Sequence, residues 1–249
     1  MRAKMDSEIV EKARELEDNG DLKGCIAYID ENIGKLESQA SRSDLLRIRA
    51  ECFLYQESPD QENARKSAEE ALKIATENGD QKRIADSSLL LSQIVSIEDA
   101  KKAEELGRKA LSIYQSLNDK EEEIYSTISI ATILDDFKEA SSLFEKAIRE
   151  SEASGNVDML AQATVNYAYL LLENGKGEDA LRIIDSAIKR ILENASKLKR
   201  KDERIRFVAD YSEIFDAASD IAMEMDMYDV ATKYASYINR DPLESLKGS

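Results

Sequence analysis

The chain has 249 residues, with 35 Lys and Arg against 51 Asp and Glu, a formal net charge of −16, no histidine, no tryptophan, two prolines and nine glycines. That field repels nucleic acid and anionic bilayers and steers basic partners inward. The missing histidine removes the usual general base and the commonest metal ligand, and two cysteines are too few for a disulfide framework, which fits a reducing, cytoplasmic setting.

The opening stretch MRAKMDSEIVEKARELEDNG has no apolar core, so it does not read as a signal peptide. No apolar run approaches the ~18 residues of a membrane span. Few helix breakers and no sustained apolar–polar alternation make helix the expected element throughout.

Taken in chain order, the helices come in pairs. A helix over 7–19 precedes GDLKGCIAYIDENIGK, and one over 43–57 precedes ENARKSAEEALKIATENGD (62–80). A helix over 81–96 precedes EDAKKAEELGRKALSIYQSLND (98–119), and 121–134 precedes DDFKEASSLFEKAIRESEASGN (135–156). A helix over 158–173 precedes GEDALRIIDSAIKRILENA (177–195), and a long one over 203–225 precedes DMYDVATKYASYINR. Asp21, Asp60, Asp99 and Asp136 share one column just before the second helix of a pair, where a carboxylate caps free N–H groups. Asp136 with Glu139 has capping-box spacing. The Gly and Asn of ENGD (77–80), LNDK (117–120) and SGNVD (154–158) suit helix C-ends.

The second helices align. Ala71-Leu72, Ala110-Leu111, Ala147-Ile148 and Ala187-Ile188 recur 39, 37 and 40 residues apart. Seven residues before each pair stands a small residue. Across six copies this column reads Cys25, Ala64, Ala103, Ala140, Ala180 and Ala231. Four residues further on come Ile29, Ala68, Gly107, Phe144, Ile184 and Ala235, on the same helix face. A column that is small in every copy marks a close helix–helix contact, and Ala13, Cys52, Leu91, Ile128, Ala168 and Ser219 occupy the facing column of the preceding helix.

This pattern resembles the tetratricopeptide repeat (TPR) family, in particular its longer repeats of about 40 residues, as in kinesin light chains, Pins-type adaptors and MalT-type regulators. The copy VNYAYLLLENGKGEDALRIIDSAI (165–188) matches best, with Asn166-Tyr167-Ala168 resembling the Asn-Leu-Gly/Ala of those repeats and Gly175 at their inter-helix glycine. The resemblance implies an all-α, right-handed superhelical solenoid of about six antiparallel helix pairs. It forms a single repeat domain over 1–249, with repeats near 6–40, 41–79, 80–118, 119–156, 157–200 and 201–241 and a short tail over 242–249. The first and last copies depart from the pattern, as capping repeats do.

Catalytic, cofactor and metal sites find little support. ENGKGEDAL (173–181) lacks the strand and the Ser or Thr of a phosphate loop and reads as a turn, with Lys176 in the column of the capping Asp residues. Cys25 and Cys52 fall in packing columns without a base to activate them. Acids such as Asp135-Asp136 and Glu121-Glu122-Glu123 complement helix dipoles. KLKRKDERIR (197–206) reads as a solvated basic face, and MEMDM (223–227) as adaptable packing. No catalytic residue, metal or cofactor is therefore expected, and the protein is not expected to be an enzyme.

The resemblance implies that the first helix of each pair lines a concave groove. The candidate partner-binding residues there are Arg49, Phe53, Tyr125, Ser129, Asn166 and Tyr169. Arg14, Ser88, Ser92, Val95, Asp216 and Asp220 map to the same face. Asn166 matches the family asparagine that bonds a peptide backbone as donor and acceptor. The groove lacks the basic clamp by which chaperone-binding members hold a C-terminal carboxylate. The expected role is thus a cytoplasmic scaffold or adaptor that binds a protein or peptide partner, neutral or basic, without nucleic acid or membrane. The alternative is a self-associating regulatory or sensor domain, a homo-oligomer with an empty groove.

Overall fold

A computed structural model describes residues 2–245, and they form helices without a strand. They cluster in two compact units that divide between Leu134 and Asp135. The fourth expected repeat thus contributes its first helix to one unit and its second to the other.

The first unit holds α1 (Arg2–Asp18), α2 (Leu22–Asn32), a 3-10 turn (Ile33–Lys35), α3 (Gln39–Tyr55), α4 (Gln61–Glu77), α5 (Gln81–Val95), α6 (Ala100–Leu117) and α7 (Lys120–Ile133). The second holds α8 (Phe137–Ser154), α9 (Val157–Glu173), α10 (Gly177–Ser196), α11 (Lys201–Asp210), α12 (Ser212–Glu224), α13 (Tyr228–Ala235) and the short α14 (Pro242–Ser245). Within each unit, helices pack chiefly on their neighbours in sequence: α3 on α4, α4 on α5, α5 on α6, α9 on α10, and α12 on α13. This is the nearest-neighbour organisation of stacked helical hairpins.

The turns follow from local chemistry. Asp21, Asp60, Asp99 and Asp136 each accept a hydrogen bond from the backbone N–H three residues on, at 2.8–3.0 Å. Between pairs, Asp80, Asp119 and Asn156 do the same. Gly79, Asn118, Gly155 and Gly175 take the left-handed conformation that ends a helix.

The small column is the packing contact. Cys25, Ala64, Ala103, Ala140 and Ala180 are wholly excluded from solvent, and Ala231 nearly so. With no bulk at these positions the second helix approaches the first closely enough for side-chain-to-backbone bonds between them. Cys25 Sγ donates to the Ala13 carbonyl at 3.2 Å, Ser92 Oγ to Ala103 at 2.6 Å and Ser219 Oγ to Ala231 at 3.3 Å. Cys25 and Cys52 are buried free thiols in one apolar cluster with Ile9, Val10, Ala13, Ile29, Leu45 and Ile48.

Three details differ from the sequence reading. The helix expected over 203–225 breaks at Tyr211 into α11 and α12, although no Gly or Pro marks the place. Arg204, from the basic cluster read as solvated, is buried and forms a bidentate ion pair with Asp241 at 2.8 and 2.6 Å. That pair fixes the approach to α14, and Pro242 opens this helix instead of following the last one. In α13 the expected Ala235 is exposed while Tyr234 and Tyr237 are buried, so the face has rotated by about one position.

Ala103→Phe is expected to overpack the α5–α6 contact and cost about 1–3 kcal/mol. A thermal melt measures this, and an unchanged melting temperature is incompatible with the contact described.

Candidate functional site

The first helices of the pairs present two surfaces, one in each unit. In the first unit α1, α3, α5 and α7 line a groove of about 630 Å³. Its walls come from residues a helical turn apart: Arg47, Glu51 and Tyr55 on α3, and Lys82, Asp86, Leu89 and Gln93 on α5. Arg14 and Glu17 flank it on α1, Glu122 and Tyr125 on α7.

The groove is charged and tightly wired. Arg47 Nη1 donates to Glu51 Oε1 at 2.5 Å. Tyr114 Oη donates to Asp86 Oδ1 at 2.7 Å, and burial together with the Asp86 charge pushes that phenol's pKa up. Lys82 reaches Asp86, Asp119 and Glu122 at 3.4, 3.0 and 3.4 Å. Burial opposes the Lys82 charge, but these three acids outweigh it and hold the pKa above the ordinary lysine value. Gln93 Nε2 donates to Tyr125 Oη at 2.9 Å. Tyr55 is largely exposed, and the partial covering of its phenol by the groove, then Tyr125 and Glu51, push the pKa up to about 12.

Glu17 of α1 and Glu51 of α3 both line this groove. Burial, then the neighbouring Glu51 charge, raise Glu17 from 4.5 to about 7, against the opposing pull of Arg47. A carboxyl that is partly covered and faces a second carboxylate takes up a proton more readily.

In the second unit α9 and α12 line a shallower groove with Tyr169, Leu172, Glu173, Asp220, Met223 and Glu224. Tyr169 and Met223 are exposed, at 38% and 53%. Burial, then the carboxylates of Asp220, Glu213 and Asp216, raise the Tyr169 phenol pKa. Among the described residues no cation lines this groove. Its chemistry is an aromatic and a thioether among acids.

The expected site residues separate into groups. Tyr125 lines the first groove, and Ser129 lies beside it, 3.4 Å from Gln93 Nε2. Tyr169 lines the second groove. Asn166 is half-buried on α9, with no hydrogen bond among the described residues. Arg49 occupies another face of α3, where it pairs with Asp30 at 2.9 Å and stacks 5.3 Å from the Phe53 ring. Phe53 packs against the apolar cluster of Leu90, Leu91, Ile94 and Ala103. Ser88, Ser92 and Val95 are buried, so the groove face of α5 is the one carrying Lys82, Asp86 and Gln93. Tyr55, Glu17, Glu51 and Asp86 were not anticipated. The available signal was the four-residue spacing of Arg47, Glu51 and Tyr55, which a packing face would not tolerate.

Lys176 has no side-chain cap bond, and its ammonium lies 4.9 Å from the Phe137 ring. A Cβ on Gly177 would come within 2.5 Å of Met225 Sδ, so the glycine lets α12 approach α10. Among the described residues no cluster of metal-ligating side chains occurs and no helix is long and apolar enough to cross a membrane.

No family model matches the sequence, and no curated protein matches it. Solved structures do resemble the fold. A Rap protein complexed with competence and sporulation factor aligns with a TM-score of 0.65 at 15% identity, over 96% of this chain and 75% of that one. NprR in complex with its cognate peptide NprX aligns at 0.63 and 14%, over 92% and 64%. The nearly identical TPR-like repeats of a putative kinesin light chain from Podosopora anserina align at 0.60 and 15%, over 76% and 95%. At such identities the likeness establishes the fold, that of TPR-like helical repeats.

Because the Glu17 pKa is raised in the folded state, that state holds a proton between pH 4.5 and about 7 that the unfolded chain has lost, and stability falls as pH rises through this window. Glu17→Gln is expected to flatten that part of the profile. Melting temperatures from about pH 5 to pH 8 measure it; parallel curves for the two proteins contradict the raised Glu17 pKa.

Proposed function

We propose that this chain, with its TPR-like fold, is a non-enzymatic interaction module that holds a basic, partly apolar peptide segment against the first helices of its repeats. The observation that carries this reading is the α9–α12 groove, where exposed Tyr169 and Met223 stand among Glu173, Asp220 and Glu224 with no cation among the described residues lining it. An exposed aromatic and a methionine offer apolar contact, and the surrounding carboxylates favour Lys or Arg on the partner. Asn166, three residues before Tyr169 on α9 and with no side-chain hydrogen bond among the described residues, is available to a peptide backbone. In the first unit Tyr55, Tyr125 and Gln93 offer comparable contacts, with Ser129 beside them, whereas Arg49 and Phe53 lie on another face of α3.

The solved relatives lend support in kind: one Rap protein was captured with competence and sporulation factor, and NprR with a cognate peptide. The absence of histidine leaves no nucleophile–base pair for acyl or phosphoryl chemistry of the usual sort, which supports an adaptor or sensor over an enzyme. A cytoplasmic location accords with the two free, buried thiols.

Selection from a random peptide library is expected to enrich segments that combine Lys or Arg with apolar residues, and to do so less at high salt. Tyr169→Ala with Met223→Ala is expected to weaken an enriched peptide about tenfold or more, as truncated anchors do. An acidic consensus, or full affinity in the double variant, contradicts this assignment.

A further inference from the structure

The second unit carries another concavity, away from the α9–α12 groove. A cleft of about 640 Å³ opens between α8 and α10, both of which pack on α9. Its floor is Leu160, Thr164, Tyr167 and Leu171 of α9. The volume falls within the range of small-molecule sites.

Two hydroxyls that line the cleft, Ser141 Oγ and Thr164 Oγ1, are buried without a hydrogen-bond partner among the described residues, and Thr164 is the more deeply buried residue. Helical threonines usually turn the hydroxyl back to the carbonyl four residues earlier. Thr76, Thr127, Thr132 and Thr232 all do so, at 2.7–3.0 Å. Thr164 is 1% exposed and its Oγ1 has no hydrogen-bond partner among the described residues, although it lines the cleft. A buried hydroxyl in that condition is a vacant position for a polar group.

One end of the cleft is cationic. Phe137 and Lys138 open α8 there, and Lys176 precedes α10. Neither lysine has a carboxylate partner among the described residues. Where the second helices α2, α4, α6 and α8 begin with an Asp cap, α10 begins with Lys176 and no cap bond. The cleft is lined by Lys138, Arg149, Lys176 and Arg182 against Glu145, Glu152 and Asp179, in a chain of net charge −16. Arg149 and Arg182 already face Glu145 and Asp179, which leaves the two lysines to a ligand.

We propose that this cleft binds a small amphipathic anion: a carboxylate held by Lys138 and Lys176, an apolar body over Leu171 and Ile183, and a second polar group that meets Thr164. Thr164 precedes Leu171 by seven residues, about 10 Å along the helix. An extended eight-carbon acid spans that distance, so a hydroxyl at its far end reaches Thr164. The proposal does not depend on a peptide in the first-helix grooves.

Octanoate, omega-hydroxyoctanoate and octylammonium, titrated against the full chain and followed by heteronuclear NMR, test it. Both acids should shift Thr164, Tyr167 and Ile183 resonances saturably, with omega-hydroxyoctanoate about three- to tenfold tighter. Octylammonium should not. Thr164→Val should abolish the difference between the acids while retaining octanoate. Lys138→Glu with Lys176→Glu alters exposed side chains; with an unchanged melting temperature it should weaken both acids about tenfold or more. Absence of saturable shifts, an equal response to octylammonium, or affinity that survives charge reversal overturns the proposal. A preference for the hydroxy acid that persists in Thr164→Val overturns the role of that residue.

Discussion

Everything in this molecule depends on a contact too close for a large side chain. At Cys25, Ala64, Ala103, Ala140, Ala180 and Ala231 the second helix of a pair presents almost nothing beyond its backbone. Dispersion and apolar burial gain from close approach, and the polar backbone of the facing helix comes within reach of Cys25, Ser92 and Ser219. Because the contact uses one face of each helix, the first helices keep another face free. The grooves are that remainder: they exist because packing is concentrated elsewhere.

The fold was legible because two independent signals agreed. A small residue recurs at a nearly constant interval, and an Asp recurs in the turn before it, where the backbone needs an acceptor. The break at Tyr211 was not legible, since Tyr211 hydrogen-bonds Asp158 from a distant part of the chain. The burial of Arg204 was likewise hidden, because its partner Asp241 lies 37 residues on.

The grooves were only partly legible. Tyr169 and Tyr125 fall on the anticipated face, whereas Ser88 and Ser92 do not. Serine is small enough to pack and polar enough to be exposed, so composition does not say which face of α5 it occupies. Ser92 decides through a bond to the Ala103 carbonyl, which exists only once α6 has docked. The unused signal was the charged spacing of Arg47 and Glu51, because carboxylate and guanidinium together do not enter a contact this tight without cost.

The Asp caps have a consequence for how the molecule meets acid. Each carboxylate that holds a helix start accepts more strongly charged than protonated, and at Asp60 the bonds from Asn63 hold the carboxyl below its usual range, so acid strong enough to protonate it loosens the start of α4. The starts of α10 and α13 have no carboxylate cap, and at α10 Lys176 lies over the Phe137 ring instead. The second helices therefore do not all meet acid alike: α2, α4, α6 and α8 begin on a carboxylate, and α10 and α13 do not.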